Sequence, residues 1–164
     1  MKPGLRKLVL TAHVTFSVGW LGAVAAYLAP AIVGLMSPDV ELVRGCHLVM
    51  GLIGWFIVVP FSLGALLTGL VQSLGTEWGL FRHYWILAKF ALSVLGAIIL
   101  LVHMRTVSGL AGMTTEMLSY ASSGQLKVQL VVHAAGGLVI LLVVTTLSIV
   151  KPWGKTPYGR EAAP

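Results

Sequence analysis

The sequence predicts an all-α protein, a four-helix transmembrane bundle of up-down-up-down topology that forms one membrane domain over residues 1–164. The first observation is composition: 57% of the residues are hydrophobic and only 10% are charged, whereas a soluble domain is about 25% charged. The second is that the apolar residues fall into four long stretches. As a helix, each stretch is long enough to cross a hydrocarbon core of about 30 Å.

The stretches predict helices at about 8–35, 45–74, 84–104 and 128–150, since an open strand would leave backbone groups unsatisfied in lipid. Short connections favour antiparallel neighbours. The longest connection, 105–127, contains a segment at 113–123 that predicts a short helix on the membrane surface. Pro30 and Pro60 each remove a helix hydrogen bond and predict kinks in the first and second helices.

The distribution of basic residues predicts the orientation, because cytoplasmic loops are enriched in Lys and Arg. Eight basic residues fall on one side of the predicted bundle: Lys2, Arg6, Lys7, Arg82, Lys89, Lys151, Lys155 and Arg160. Only Arg44, Arg105 and Lys127 fall on the other side. Both termini are therefore expected in the cytoplasm. Trp78, Trp85 and Trp153 lie near the same boundary, as an interfacial aromatic belt does.

Several function classes are disfavoured by what the chain lacks. The net charge of +6 does not indicate a nucleic-acid partner, because the basic residues lie at the ends of apolar stretches and form no patch. The predicted spans contain no Asp or Glu, which argues against a hydrolase and against a transporter that uses a carboxylate as proton carrier. Cys46 is the only cysteine. An internal disulfide and covalently attached haem are therefore excluded.

The five histidines fall into two predicted layers. His47, His103 and His133 belong to the external side. His103 is predicted to lie close to the external membrane boundary, which Arg105 marks. His13 and His83 belong to the cytoplasmic side. In the first span, His13 shares one stripe with Ser17, Trp20 and Tyr27. Polar groups are costly in hydrocarbon, so such stripes are expected to face the bundle interior.

Two histidine layers in a membrane bundle are typical of haem b, whose iron is held by imidazoles from different helices. An external haem would use His133 with His47 or His103, and an inner one would use His13 with His83. Glycines follow at suitable spacing and leave room for a flat macrocycle: Gly51 and Gly54 after His47, and Gly136 and Gly137 after His133. The leading hypothesis is electron transfer between a membrane quinone and a partner on one face. His133 is expected to matter most.

Other interpretations remain open. Histidines near helix ends, His83 above all, are often interfacial residues with their polar tips in the headgroups. The external side also carries the soft ligands that copper prefers: Cys46, His47, His103, Met104, Met113 and Met117. The alternatives are therefore a metal-handling or small-solute transport protein, and an accessory subunit whose histidines only bridge helices. Whether the chain is an enzyme or forms a homodimer is left open.

Several segments resemble a group of uncharacterised bacterial four-helix integral membrane proteins. They are TAHV at 11–14 with GWLG at 19–22, LTGLVQSLGTEWGLFRHYW at 67–85, residues 100–104, and 133–137 followed by Lys151 and Pro152. The resemblance implies the same fold in a bacterial inner membrane. In architecture the chain also looks like the small di-haem membrane cytochromes b, which implies a membrane oxidoreductase. Here the fourth helix offers only His133, and this departs from their paired ligands.

Overall fold

The structure, a computed structural model, describes residues 1–76, 79–121 and 124–161 and confirms the all-α class. Its elements are α1 (Pro3–Met36), α2 (Val40–Ile53), a π-helical turn (Gly54–Val58), α3 (Val59–Gly75), α4 (Tyr84–Ala111), α5 (Thr115–Ala121), α6 (Gly124–Val150) and α7 (Pro157–Glu161). The segment from α2 to α3 is one continuous helical span of 36 residues. With α1, α4 and α6 it makes four helices that are long and apolar enough to cross a membrane.

The helices extend beyond the bounds that the sequence predicts. The predicted connection at 105–127 is shorter, because α4 continues to Ala111 and α6 begins at Gly124. Helix α4 continues because Val107 and Leu110 are buried on one face, so this end of the helix is amphipathic. The predicted surface helix at 113–123 is present over Thr115–Ala121, and its positions 122 and 123 lie outside the described residues.

The four spans form an antiparallel bundle. Helix α1 packs against α2–α3 and α6, and α4 packs against the same two spans from the opposite side. Helices α1 and α4 therefore face each other across a diagonal. The apolar core includes Met50 and Met104 of the spans and Leu118 of α5, which are fully buried.

The outer surface of the bundle is apolar. Large hydrophobic side chains are exposed along every span, among them Leu8, Val18, Phe56, Leu67, Ile98, Val102, Val132, Val139 and Ile149. Soluble monomers rarely expose contiguous apolar surface of this extent. This surface is suited to contact with a lipid bilayer, and the protein is a multi-pass membrane protein in its architecture.

The π-helical turn lies directly before Pro60. Proline has no backbone N–H, and the amide of Val59 instead donates to the carbonyl of Gly54, five residues earlier. Such π-bulges are common at functional sites. The turn brings Gly54 so close to Met104 that a Cβ atom at Gly54 would overlap the Met104 side chain. Helix α1, by contrast, continues through Pro30 without a break.

Candidate functional site

Three polar side chains from three helices meet inside the bundle. The Oη atom of Tyr27 in α1 and Nε2 of His103 in α4 are 3.1 Å apart and share a hydrogen bond. The His103 ring also packs against the ring of His133 in α6, with centroids 4.8 Å apart and planes inclined by 36°. Because α1 and α4 lie on a diagonal, the Tyr27–His103 bond crosses the bundle. We call these three residues the Tyr–His cluster.

The cluster lies well away from the ends of its helices, and its His133 member is only partly buried. His103 lies eight residues before the end of α4, and His133 lies nine residues after the start of α6. At a rise of 1.5 Å per residue, both are roughly 12 to 14 Å from the ends of their helices. Tyr27 is 5% exposed and His103 is 8% exposed. Helix α4 continues past Arg105, which sits on an exposed face, so His103 lies well before the end of its helix; its position relative to the membrane boundary stays a prediction.

His133 is oriented by its own helix. Its Nδ1 atom lies 2.9 Å from the carbonyl oxygen of Gln129. A carbonyl only accepts hydrogen bonds, so Nδ1 carries the donated proton and Nε2 of the neutral ring is an acceptor. Within the described part of the chain, no residue forms a hydrogen bond with Nε2 of His133. This nitrogen is thus available to a ligand.

An apolar cavity of about 180 Å³ adjoins the Tyr–His cluster. Its walls come mainly from α1, α4 and α6, and they include Trp20, Gly96, Gly136, Gly137 and Ile140. Glycines add no side-chain volume to this part of the lining, and a Cβ atom at Gly137 would lie 3.8 Å from Val24 across the interior. A cavity of about 150 Å³ is sufficient to bind benzene. The cavity can therefore hold one substituted six-membered ring beside the polar groups.

His47 lies apart from the Tyr–His cluster, although the sequence predicted one layer for His47, His103 and His133. Gly54 is level with the cluster because it packs against Met104, the neighbour of His103. His47 precedes Gly54 by seven residues, so it is about 10 Å nearer the α1–α2 connection. The three histidines therefore occupy two depths.

The environment of His47 is apolar. The side chain is 3% exposed, and Nδ1 has no hydrogen-bond partner among the described residues. Its helical neighbours Val43 and Met50 belong to the apolar core. An unpartnered buried polar nitrogen costs folding free energy.

The two histidines of the predicted cytoplasmic layer, His13 and His83, contact different parts of the structure. Nδ1 of His13 lies 3.1 Å from the Ala65 carbonyl oxygen and 3.1 Å from Oγ1 of Thr68, so this side chain bridges α1 and α3. His83 precedes the first turn of α4, where its backbone pairs with that of Lys155. The bridging role of His13 is the one that the accessory-subunit interpretation assigns to histidines.

The arrangement does not fit a haem held between His103 and His133. Axial imidazole nitrogens lie about 2.0 Å from a metal on opposite faces of the macrocycle, which sets the ring centroids roughly 6 Å apart. The observed centroids are closer, at 4.8 Å, and Nε2 of His103 is bonded to Tyr27. His47 lies at another depth. Haem b therefore stays a prediction.

The residues predicted as copper ligands do not lie together at one site either. Cys46 is buried against Gly34 of α1, whereas Met104 and His103 lie at the depth of the cluster. Over residues 1–76, 79–121 and 124–161, no group of three or more His, Cys, Asp or Glu side chains could hold a metal ion. The predicted metal ligands His13, His47, His103 and His133 do not form one site there.

Comparison with known proteins identifies no relative: the chain matches no family model, no curated protein and no solved structure. Tyr27 is the site residue that the sequence did not single out. It lies on the predicted inward stripe of the first span, and that stripe was the only signal for it. Its meeting with His103 depends on helix packing.

Proposed function

We propose that this protein is a multi-pass protein of the bacterial inner membrane that binds a quinone-type ring beside the Tyr–His cluster. The function proposed for the cluster is to bind and orient that ring, and electron exchange between the quinone pool and a partner at one membrane face stays the hypothesis drawn from the histidine pattern. The observation that carries the proposal is a ring-sized apolar cavity of about 180 Å³ with hydrogen-bonding groups at one side.

The chemistry of the cavity suits such a carrier. A quinone head is a six-membered ring with two carbonyl oxygens, which become hydroxyl groups in the reduced quinol. The free Nε2 of neutral His133 can accept a hydrogen bond from a quinol hydroxyl, and protonated His133 can donate one to a quinone carbonyl. Ligand sites commonly combine apolar walls with a few placed polar groups in this manner.

The cavity is also suited to entry from the lipid. Two of its lining residues, Val132 and Gly136, are exposed on the outer surface of α6, and Val132 is 60% exposed. A quinone carries a long apolar tail that stays in the bilayer. Lateral entry between α4 and α6 would let the ring reach the Tyr–His cluster while the tail remains in lipid.

We expect protein in lipid nanodiscs to bind decylubiquinone saturably, and we expect His133→Ala to weaken binding by about tenfold. One lost hydrogen bond accounts for roughly that factor. Trp20 lines the cavity, so quenching of its fluorescence reports occupancy, and Trp20→Phe identifies the component that belongs to the cavity.

The matched control is His83→Ala, which removes an imidazole that does not line the cavity. It should bind as the wild type does. A response that never saturates in the wild type, or equal dissociation constants for wild type and His133→Ala, would contradict the proposal. The visible spectrum decides the haem prediction separately: a Soret band in protein from haem-supplemented cells supports it, and a preparation that stays colourless after added hemin contradicts it.

We further propose that both termini face the cytoplasm, because eight basic residues lie on that side against three on the other. A reporter fused after Pro164 should then be active in the cytoplasm. A cysteine introduced at Gly112 in a Cys46→Ser background should react with an impermeant thiol reagent in intact cells. Reaction only after membrane permeabilisation would reverse the orientation.

A further inference from the structure

A second concave surface lies at the opposite end of α4. It is a groove of about 700 Å³, and its lining residues are Tyr84, Leu87, Ala88, Ala91, Trp153, Gly154, Lys155 and Arg160. The floor is one face of α4, where the small side chains of Ala88 and Ala91 leave room above the helix. The rim is formed by the segment after α6. We call this surface the α4 groove.

The rim is held by hydrogen bonds from Thr156 to backbone carbonyls just before α4. The Thr156 amide donates to the Arg82 carbonyl at 2.9 Å, and the Thr156 hydroxyl donates to the Phe81 carbonyl at 2.6 Å. Gly159 packs so closely on the Arg82 carbonyl that a Cβ atom would collide with it. The segment that carries Lys155 and Arg160 is therefore fixed beside α4.

Two positive φ angles direct the chain into this position. Lys151 has φ 50° and Trp153 has φ 66°, a left-handed conformation that is uncommon for residues other than glycine. They reverse the chain at the end of α6 and bring it back toward the start of α4. Trp153 and Tyr158 are left 62% and 63% exposed. Exposed Trp and Tyr side chains are typical of a membrane–water interface.

The charges and the apolar floor indicate one type of occupant. Lys155 and Arg160 are exposed at the rim, and below them the floor of Leu87, Ala88 and Ala91 continues along α4 into the span. A ligand that matches both parts has an anionic head and an apolar chain. Basic pockets beside transmembrane helices on the cytoplasmic side bind anionic lipid headgroups.

We infer that the α4 groove binds an anionic phospholipid, with its phosphate between Lys155 and Arg160 and one acyl chain along Ala88 and Ala91. The small side chains leave the depth that an acyl chain needs. The α4 groove is separate from the cavity beside the Tyr–His cluster, because the two share no lining residue. The test of the lipid site is therefore independent of the test of quinone binding.

Native mass spectrometry of the detergent-purified protein tests this inference. With dioleoyl phosphatidylglycerol and dioleoyl phosphatidylcholine added at equal concentration, the wild type should retain phosphatidylglycerol preferentially. Lys155→Gln with Arg160→Gln should reduce that preference about twenty-five-fold, since each basic residue near an anionic lipid contributes about fivefold. Lys2→Gln with Lys7→Gln removes the same charge from α1 and its start and should leave the preference unchanged.

A separate variant tests the part of the groove that is proposed to hold the acyl chain. Ala91→Phe fills the floor of the groove without changing charge, and it should also abolish retention of phosphatidylglycerol. Equal loss in the Lys2/Lys7 variant would show a general charge effect and overturn the inference. Displacement of the lipid by inorganic phosphate alone, or full retention in Ala91→Phe, would show a headgroup contact without a lipid site and would also overturn it.

Discussion

Gly136→Leu is expected to weaken binding of decylubiquinone by roughly ten- to hundredfold while the protein remains folded. Gly136 lines the cavity, and the position of its missing Cβ atom has no neighbour within 4 Å. A leucine side chain can therefore enter the open space without disturbing the helices. Because Gly136 both lines the cavity and is exposed on the outer surface of α6, the added side chain would obstruct the cavity on its lipid side, where the quinone ring enters. Forcing extra methylenes into a filled space costs about 1–3 kcal/mol, so affinity should fall roughly ten- to hundredfold.

The control for this change is Gly22→Leu. Gly22 also has open space around the position of a Cβ atom, but it lies on α1 outside the cavity lining. Both variants add the same side chain to an exposed glycine of a spanning helix. We expect only Gly136→Leu to weaken the saturable quenching of Trp20. Full binding by Gly136→Leu would mean that the ligand does not use this cavity.

Gly19→Leu is expected to produce the largest loss of stability. A Cβ atom at Gly19 would overlap the Phe61 ring, so α1 and α3 approach closely at this point. Phe61 also packs edge-to-face on Phe16, with ring centroids 5.7 Å apart. Displacing Phe61 therefore disrupts an aromatic pair in addition to overpacking the interface. These two effects together cost roughly 3 kcal/mol.

Thermal unfolding in detergent measures this effect, and a loss near 3 kcal/mol corresponds to a melting temperature roughly 10 °C lower. Gly22→Leu serves again as control, because it makes the same substitution one helical turn away on the same helix, where there is space. It should melt within a few degrees of the wild type. Equal melting temperatures for the two variants would show that α1 and α3 are not closely packed at Gly19.

The sequence determined the architecture because a bilayer imposes a simple physical requirement. Apolar residues in sufficient number must form helices in lipid, since the backbone has no other means of satisfying its hydrogen bonds there. This requirement explains why four spans and an all-α bundle follow from composition and stretch length alone. It does not set helix ends, because amphipathic turns such as those at Val107 and Leu110 extend a helix beyond its uniformly apolar part.

The depth of each histidine was decided only by the tertiary structure. Counting from charged residues places His47 and His103 in one layer, but Arg105 lies on an exposed face within a longer helix. The π-helical turn before Pro60 and the close approach of Gly54 to Met104 then set how α2–α3 is aligned against α4.

The composition of the Tyr–His cluster was likewise decided by packing. The sequence placed Tyr27 on an inward stripe of the first span, but it could not indicate which side chains that stripe would meet. The pairing of Tyr27 with His103 depends on α1 and α4 lying on a diagonal of the bundle. Helical periodicity specifies which face of a helix turns inward, whereas the partner across the interior depends on how all four helices pack together.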